Sequence, residues 1–236
     1  MIYKKSTSKD LNIELFKYPT SEYRGAPFWA WNCKLEKDEL VKQIEELKAM
    51  GYGGYHMHVR NGMATEYLSD EFMDLIKACV EKGKQENMLS WLYDEDRWPS
   101  GFAGGLVTKD PKYRMNYLLI TTKPYNSDAQ PCICYAASSG KSRSENGTLI
   151  AKFDIKLNSD GYLESYKKLG ENEFPENDLW YVYLETPLPS SRFNNQTYVD
   201  TLSPEAIGEF IKVTYERYKE TLGQDLGTAA PAIFTD

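Results

Sequence analysis

The stretch from Met88 to Gly105, MLSWLYDEDRWPSGFAGG, shows how this chain is built and where its chemistry lies. Its first six residues form an apolar, aromatic-rich run that is short enough for a buried β-strand. Three consecutive acids follow, Asp94, Glu95 and Asp96, and then a turn that contains proline and glycine. Because ligands of α/β proteins bind at the carboxyl ends of the strands, acids at this position favour a functional site over a solvated turn.

The residues before this stretch alternate between strands and helices. Their pattern predicts two strands, at 26–32 and 53–60, and two amphipathic helices, at 34–50 and 69–83. Gly51 is typical of the residue that stops a helix, and Ser69 is typical of an N-cap. Strands that alternate with helices over short connections are expected to be parallel and joined by right-handed crossovers.

The pattern changes after residue 111. Short β-like runs separated by turn residues predict an antiparallel β insertion at 112–190, with Asp160-Gly161 in a hairpin turn. Ser203-Pro204 then begins a helix, and a fourth strand at 232–236 ends the sequence. We therefore predict three parts. Residues 1–111 form an arm and the first three strands, residues 112–190 form the insertion, and residues 191–236 form a helix and the fourth strand.

Composition restricts the class of protein. The 236 residues carry a net charge of −7 and a pI of about 5.1, which argues against nucleic-acid partners because binding to phosphates needs a basic face. No apolar run is long enough to span a bilayer, and the N-terminus lacks the features of a signal peptide. We expect a cytoplasmic protein whose four cysteines are reduced thiols, at Cys33, Cys79, Cys132 and Cys134.

Both histidines of the chain lie on the second predicted strand. Alternation along that strand places His56, His58 and Arg60 on one side, where they are candidates for binding a substrate. In a second interpretation, His56 and His58 bind a metal ion, as in a metal-dependent amidohydrolase-like barrel. Asp94, Asp96 or Asp236 would complete the ligand set. Zinc usually takes three protein ligands, so hydrogen bonding to substrate hydroxyls is preferred and no metal ligand is assigned. A third interpretation is that both histidines are satisfied inside a packed sheet.

Other candidates for substrate binding flank the strands. Trp29 and Trp31 share a face of the first strand and are followed by Asn32, so the indoles could wall a sugar pocket or belong to the core. The residues that follow the third strand are further candidates, namely Asp96, Arg97 and Trp98. The 14% aromatic content of the chain suits both core packing and stacking on sugar rings.

Carboxylates at the ends of different strands suit glycosidic hydrolysis. One carboxyl group protonates the leaving oxygen, and the other activates water or attacks the anomeric carbon. Asp94 and Glu95 at the end of the third strand and Asp236 at the end of the fourth are the candidate catalytic residues. Spacing does not rank Asp94 against Glu95.

Three segments resemble glycoside hydrolase family 106, which contains α-L-rhamnosidases. The segments are 27–32 (PFWAWN), 53–60 (GGYHMHVR) and 93–101 (YDEDRWPSG), and the similarity extends to 198–200, to the helix from Ser203 and to 233–236. It covers most of the chain outside 112–190. The resemblance implies a (β/α)8 catalytic barrel, inverting chemistry, and plant or microbial glycans as substrates, and it suggests a bound calcium ion.

One departure from the family pattern concerns the last residues. In related sequences Thr235-Asp236 is followed by Glu-Pro, and that glutamate is a candidate catalytic acid. We therefore expect a partial (β/α)8, TIM-type barrel with an antiparallel β insertion after its third strand, whose partner is the remainder of the barrel or a second copy. Such a chain is expected to hydrolyse rhamnose-containing glycans weakly or not at all alone. A non-catalytic carbohydrate-binding module is a further alternative.

Overall fold

The computed structural model describes residues 9–125, 144 and 146–236. These residues form two compact units, one built from 9–107 with 207–236 and the other from 108–125, 144 and 146–206. The helices and strands are α1 (Ile13–Lys17), β1 (Phe28–Trp31), α2 (Lys37–Ala49), β2 (Gly54–Val59), α3 (Asp70–Gln85), β3 (Leu89–Tyr93), β4 (Tyr117–Thr121), β5 (Thr148–Leu157), β6 (Leu163–Leu169), β7 (Asp178–Glu185), α4 (Pro204–Ile211), α5 (Arg217–Leu222) and β8 (Ile233–Phe234). Among the described residues, no helix combines the length and apolarity that a bilayer crossing requires.

The first unit contains a parallel sheet of four strands in the order β1-β2-β3-β8. This is the parallel arrangement that the alternation of strands and helices predicted. The sheet is open within the described residues, with β1 and β8 at its edges, so the barrel remains a prediction. All four strands run the same way, and their carboxyl ends therefore meet at one edge of the sheet.

Helices α2 and α3 cover one face of this sheet. As predicted, α3 begins with an N-cap, since the Ser69 Oγ accepts a hydrogen bond from the Phe72 N–H at 3.2 Å. Gly51 follows α2 with a φ of +90°, which is the left-handed conformation expected of a glycine that stops a helix. Helix-facing positions of the strands form the core, and Tyr55 and Leu92 among them are fully buried.

The helical region from 204 to 222 contains one wide turn. Between α4 and α5, residues Lys212–Glu216 form a π-helical segment. The Thr214 hydroxyl donates to the Phe210 carbonyl at 2.5 Å within this region. Four residues at four-residue spacing are buried, namely Phe210, Thr214, Tyr218 and Leu222. Ile211 lies outside this row and is 43% exposed.

The second unit is built around an antiparallel sheet in the order β4-β7-β5-β6. Gly161 turns the β5–β6 hairpin with a φ of +82°, as the Asp-Gly pair predicted. The unit spans 108–206, whereas the sequence placed the insertion at 112–190. Cys132 and Cys134 lie outside the described residues.

Candidate functional site

Three buried acids lie directly after β3. Asp94, Glu95 and Asp96 are 0%, 2% and 9% exposed. A buried carboxylate is costly unless other groups of the protein pair with it or donate hydrogen bonds to it. The three acids differ in the number and the length of the hydrogen bonds that their carboxylate oxygens accept.

Asp94 has a donor for each carboxylate oxygen. The Ser100 hydroxyl donates to Oδ1 at 2.5 Å, and the Tyr215 hydroxyl donates to Oδ2 at 2.7 Å. Burial, followed by the hydrogen bond to the Asp94 carboxylate, raises the pKa of Tyr215 and keeps its phenol protonated as a donor. Asp94 is therefore held from both sides and has little capacity left for a ligand.

Glu95 is held more loosely than Asp94. Its Oε1 lies 3.4 Å from the His58 Nε2, and its Oε2 lies 3.3 Å from the Ser100 Oγ. Both distances are longer than the 2.7–3.2 Å that is usual for hydrogen bonds. A ligand group could therefore take over either contact with little loss.

Asp96 faces the loop that follows the acids. Its Oδ2 accepts a hydrogen bond from the Arg97 Nε at 2.9 Å. Gly104 approaches Asp96 so closely that a Cβ at residue 104 would lie 3.2 Å from the aspartate Cβ, and its φ is +63°. Trp98, which precedes a cis peptide bond to Pro99, is 44% exposed. Asp96 and Arg97 thus pair with each other beside the site.

Ser100 links the ends of β3 and β8. Its N–H donates to the Asp236 carbonyl at 3.0 Å, and the Asp236 N–H donates to the Ser100 Oγ at 3.1 Å. The same hydroxyl contacts Asp94 and Glu95, so one side chain connects the acids of β3 to the backbone of Asp236. The Asp236 residue is exposed.

Strand register places four predicted site residues in one row. The register pairs are Ala30↔His58 between β1 and β2, His56↔Trp91 between β2 and β3, and Tyr93↔Phe234 between β3 and β8. Two residues further along each strand, the same register aligns the positions that follow the strands, which are Asn32, Arg60, Glu95 and Asp236. The Arg60 N–H donates to the Trp31 carbonyl at 2.9 Å and continues the ladder in this direction. These four residues therefore lie at the carboxyl edge of the sheet.

Aromatic rings line the same face below this row. Tyr93 stacks on His58 with centroids 3.9 Å apart and on Phe234 at 4.8 Å. His56 stacks on Trp91 at 5.4 Å. Burial lowers the pKa of His56 and the nearby His58 lowers it further, whereas hydrogen bonds with the backbone raise it. The net effect is a lowered pKa, so His56 is neutral at physiological pH. His56 and His58 thus share one face, as alternation predicted.

The structure places Trp29 and Trp31 on the opposite face. The Trp29 Nε1 donates to the Gln43 Oε1 of α2 at 2.7 Å, and Trp31 is 1% exposed. The Trp31 ring packs against Phe72 of α3. Successive side chains of a strand point to opposite faces, so these indoles lie with the helices, away from the acids. The two indoles are therefore not part of the candidate site.

Three residues of the site were not predicted from the sequence. Tyr93 had a signal, because it lies two positions before Glu95 and therefore shares its face in an extended strand. Ser100 and Tyr215 had none, since their roles depend on contacts with residues that only the fold brings near.

Within 9–125, 144 and 146–236, no three His, Cys, Asp or Glu side chains form a group that could hold a metal ion. Glu95 lies near His58, whereas the His56 Nδ1 lies 3.2 Å from the Ala26 carbonyl oxygen, and each Asp94 oxygen already accepts a hydrogen bond. The described residues therefore offer no fitted zinc or calcium site.

Comparisons with known proteins indicate a fold relationship. No family model matches this chain, and no curated protein matches it. Among solved structures, the chain is similar to a rhamnosidase from Novosphingobium sp. PP1Y, with a TM-score of 0.52 and 11% sequence identity. The alignment covers 94% of this chain and 39% of that rhamnosidase chain. At this identity the similarity concerns the fold, which is thus related to that of a considerably longer rhamnosidase.

Proposed function

We propose that this chain carries part of the active site of a glycoside hydrolase that acts on rhamnose-containing or related glycans. The observation that carries the proposal is the alignment of Glu95 with Asp236, by strand register, at the carboxyl ends of the adjacent parallel strands β3 and β8. The fold similarity to a rhamnosidase supports the choice of sugar.

The two carboxyl groups suit different roles. Glu95 is buried and has only long contacts, so it is the proposed acid that donates a proton to the glycosidic oxygen as the bond to the sugar breaks. Asp236 is exposed and is the proposed carboxylate that takes a proton from the attacking water. Asp94 is assigned to holding Ser100 and Tyr215, since both of its oxygens are engaged.

The remaining side chains would bind the sugar. Arg60 and Asn32 lie in the row that contains Glu95 and are exposed, so they are proposed to donate hydrogen bonds to sugar hydroxyls. His58, held between the Tyr93 ring and Glu95, would position the acid. Because the described sheet is open at both edges, we expect turnover by the 236-residue chain to be slow.

Hydrolysis of p-nitrophenyl α-L-rhamnopyranoside by the 236-residue chain tests the proposal. We expect p-nitrophenol release above the buffer rate, which falls at least 100-fold in Asp236→Asn. The fall in Glu95→Gln should be smaller, because p-nitrophenolate is a good leaving group that needs little protonation. Matched controls are Glu86→Gln and Asp225→Asn, whose carboxylates precede β3 and β8 at the opposite edge of the sheet and pair with surface lysines. Release that no site variant lowers would refute the assignment. Sugar binding without release would favour a carbohydrate-binding module.

A further inference from the structure

The face of the parallel sheet that carries His56 and His58, here called the histidine face, is concave. On this face the Phe28 ring of β1 contacts the Phe234 ring of β8, with centroids 5.7 Å apart. These are the two edge strands of the four, and since adjacent strands lie about 4.8 Å apart, they would be about 14 Å apart in a flat sheet. The contact between the rings indicates that the sheet curls, so the histidine face forms a hollow below the row of candidate site residues.

The layer of side chains directly below that row offers a ligand mainly apolar surface. Strand register places Ala30, His58, Tyr93 and Phe234 in this layer, each two residues before a member of the row. His58 and Tyr93 stack on each other and are only 7% and 3% exposed. Ala30 is exposed and Phe234 is 37% exposed, so the accessible part of the layer consists largely of a methyl group and a phenyl ring.

Phe234 lies beneath the proposed catalytic pair. Its strand leads directly to Asp236, and its register partner Tyr93 leads to Glu95. The Phe234 ring is held in place by stacking on Tyr93 at 4.8 Å and by the edge contact with Phe28. A sugar that reaches both carboxyl groups is therefore expected to contact a ring whose position is already fixed.

The chemistry of the ring restricts which part of a sugar can lie on it. A hydroxyl pressed against the Phe234 ring would lose its hydrogen bonds to water without gaining one from the ring, which is unfavourable. The part of the ligand that packs there is therefore expected to carry no hydroxyl. L-Rhamnose has such a part, because it is 6-deoxy-L-mannose and carries a methyl group at C5 where L-mannose carries a hydroxymethyl group.

We propose that Phe234 determines specificity for 6-deoxy sugars by packing against the methyl group at C5 of the bound sugar. This inference rests on the proposed function and deepens it, since it names the class of sugar that the site selects and the residue responsible. An apolar contact of this kind discriminates against an added hydroxyl by about 10- to 100-fold.

Dissociation constants for L-rhamnose and L-mannose, measured by isothermal titration calorimetry on the 236-residue chain, test the inference. We expect the wild-type chain to bind L-rhamnose about 10- to 100-fold more tightly than L-mannose. Phe234→Leu keeps an apolar side chain and should retain this preference, whereas Phe234→Ser places a hydroxyl at the contact and should bring the two affinities close together. If thermal unfolding shows that Phe234→Ser is not folded, Phe234→Tyr keeps the ring, adds a hydroxyl and should likewise reduce the preference.

Phe28→Ser is the matched control. Phe28 belongs to the same ring cluster, but it lies one layer lower, in register with His56, and is 56% exposed. The change removes the same number of ring atoms as Phe234→Ser, and it should leave the preference for L-rhamnose intact.

Each contrary result has a distinct meaning. Equal affinities of the wild-type chain for L-rhamnose and L-mannose overturn this inference and leave the proposed function standing. A preference that falls as far in Phe28→Ser as in the polar variant of Phe234 shows that it depends on the packing of the whole cluster, and it also overturns the assignment to Phe234. A wild-type chain that neither binds L-rhamnose nor hydrolyses its p-nitrophenyl glycoside overturns the proposed function, and this inference with it.

Discussion

Replacing Ser100 by alanine tests whether one hydroxyl organises the acidic cluster. The change removes a charge-assisted hydrogen bond of 2.5 Å to the buried Asp94 and a longer contact to Glu95, and it deprives the Asp236 N–H of its acceptor. A hydrogen bond to a charged group contributes about 1.5–3 kcal/mol, and loss of the acceptor for a neutral N–H costs about 0.5–1.5 kcal/mol. We therefore expect Ser100→Ala to lower the free energy of unfolding of the first unit by about 2–4 kcal/mol.

Urea unfolding followed by tryptophan fluorescence measures this loss. Trp29, Trp31, Trp91 and Trp98 lie in the first unit, and Trp180 alone lies in the second, so the signal reports mainly on the unit that carries the site. Ser69→Ala is the matched control, because it removes the N-cap hydrogen bond to Phe72 and should cost about 1 kcal/mol. If Ser100→Ala costs no more than Ser69→Ala, the hydroxyl does not hold the acids and the described network is wrong.

Two further predictions concern packing and pH. Gly83→Ala should destabilise the first unit although alanine favours helices, because the added Cβ would lie 2.5 Å from the Ser90 Oγ. Gly208→Ala is the control, since its Cβ would meet nothing within 4 Å, and it should stabilise the unit by about 0.5–1 kcal/mol in the same urea assay. Burial opposes the ionisation of Glu185, but hydrogen bonds from Tyr117, Ser144 and Tyr125 outweigh it and lower its pKa. The resulting stability is fully present above the ordinary glutamate pKa of about 4.3 and is lost as pH falls through the lower folded value. The protection factors of the β7 amides, which are corrected for the pH dependence of intrinsic exchange, should therefore fall on acidification in the wild-type chain, and this fall should be smaller in Glu185→Gln.

Local features were predictable because they depend on near neighbours. The N-cap at Ser69 and the turn at Gly161 follow from side-chain and backbone chemistry within four residues. Parallel strands were predictable from the alternation of elements, since a parallel pair needs a long crossover. The acids after β3 were placed at the carboxyl edge for the same reason.

The orientation of the strands relative to the helices was not predictable in the same way. Alternation shows that Trp29 and Trp31 share a face and that His56 and His58 share a face, but it does not show which face the helices cover. The buried positions Tyr55 and Met57 lie on the same face as the two tryptophans of β1, so these indoles belong with the core. The aromatic surface beside the acids comes from Tyr93 and Phe234, with Phe28 of β1 packed against both.

The roles of the three acids also depend on distant parts of the chain. Asp94 differs from Glu95 because it accepts a hydrogen bond from the Tyr215 hydroxyl. Tyr215 lies 121 positions further along the chain, in the π-helical segment Lys212–Glu216. π-helical turns are rare and occur frequently at functional sites. The buried residues of this region follow a four-residue spacing, which the 3.6-residue period of a regular α-helix does not maintain over several turns. The wide turn therefore keeps that row of side chains in the core and aims Tyr215 at Asp94. Glu95 is thus the more loosely held of these two acids.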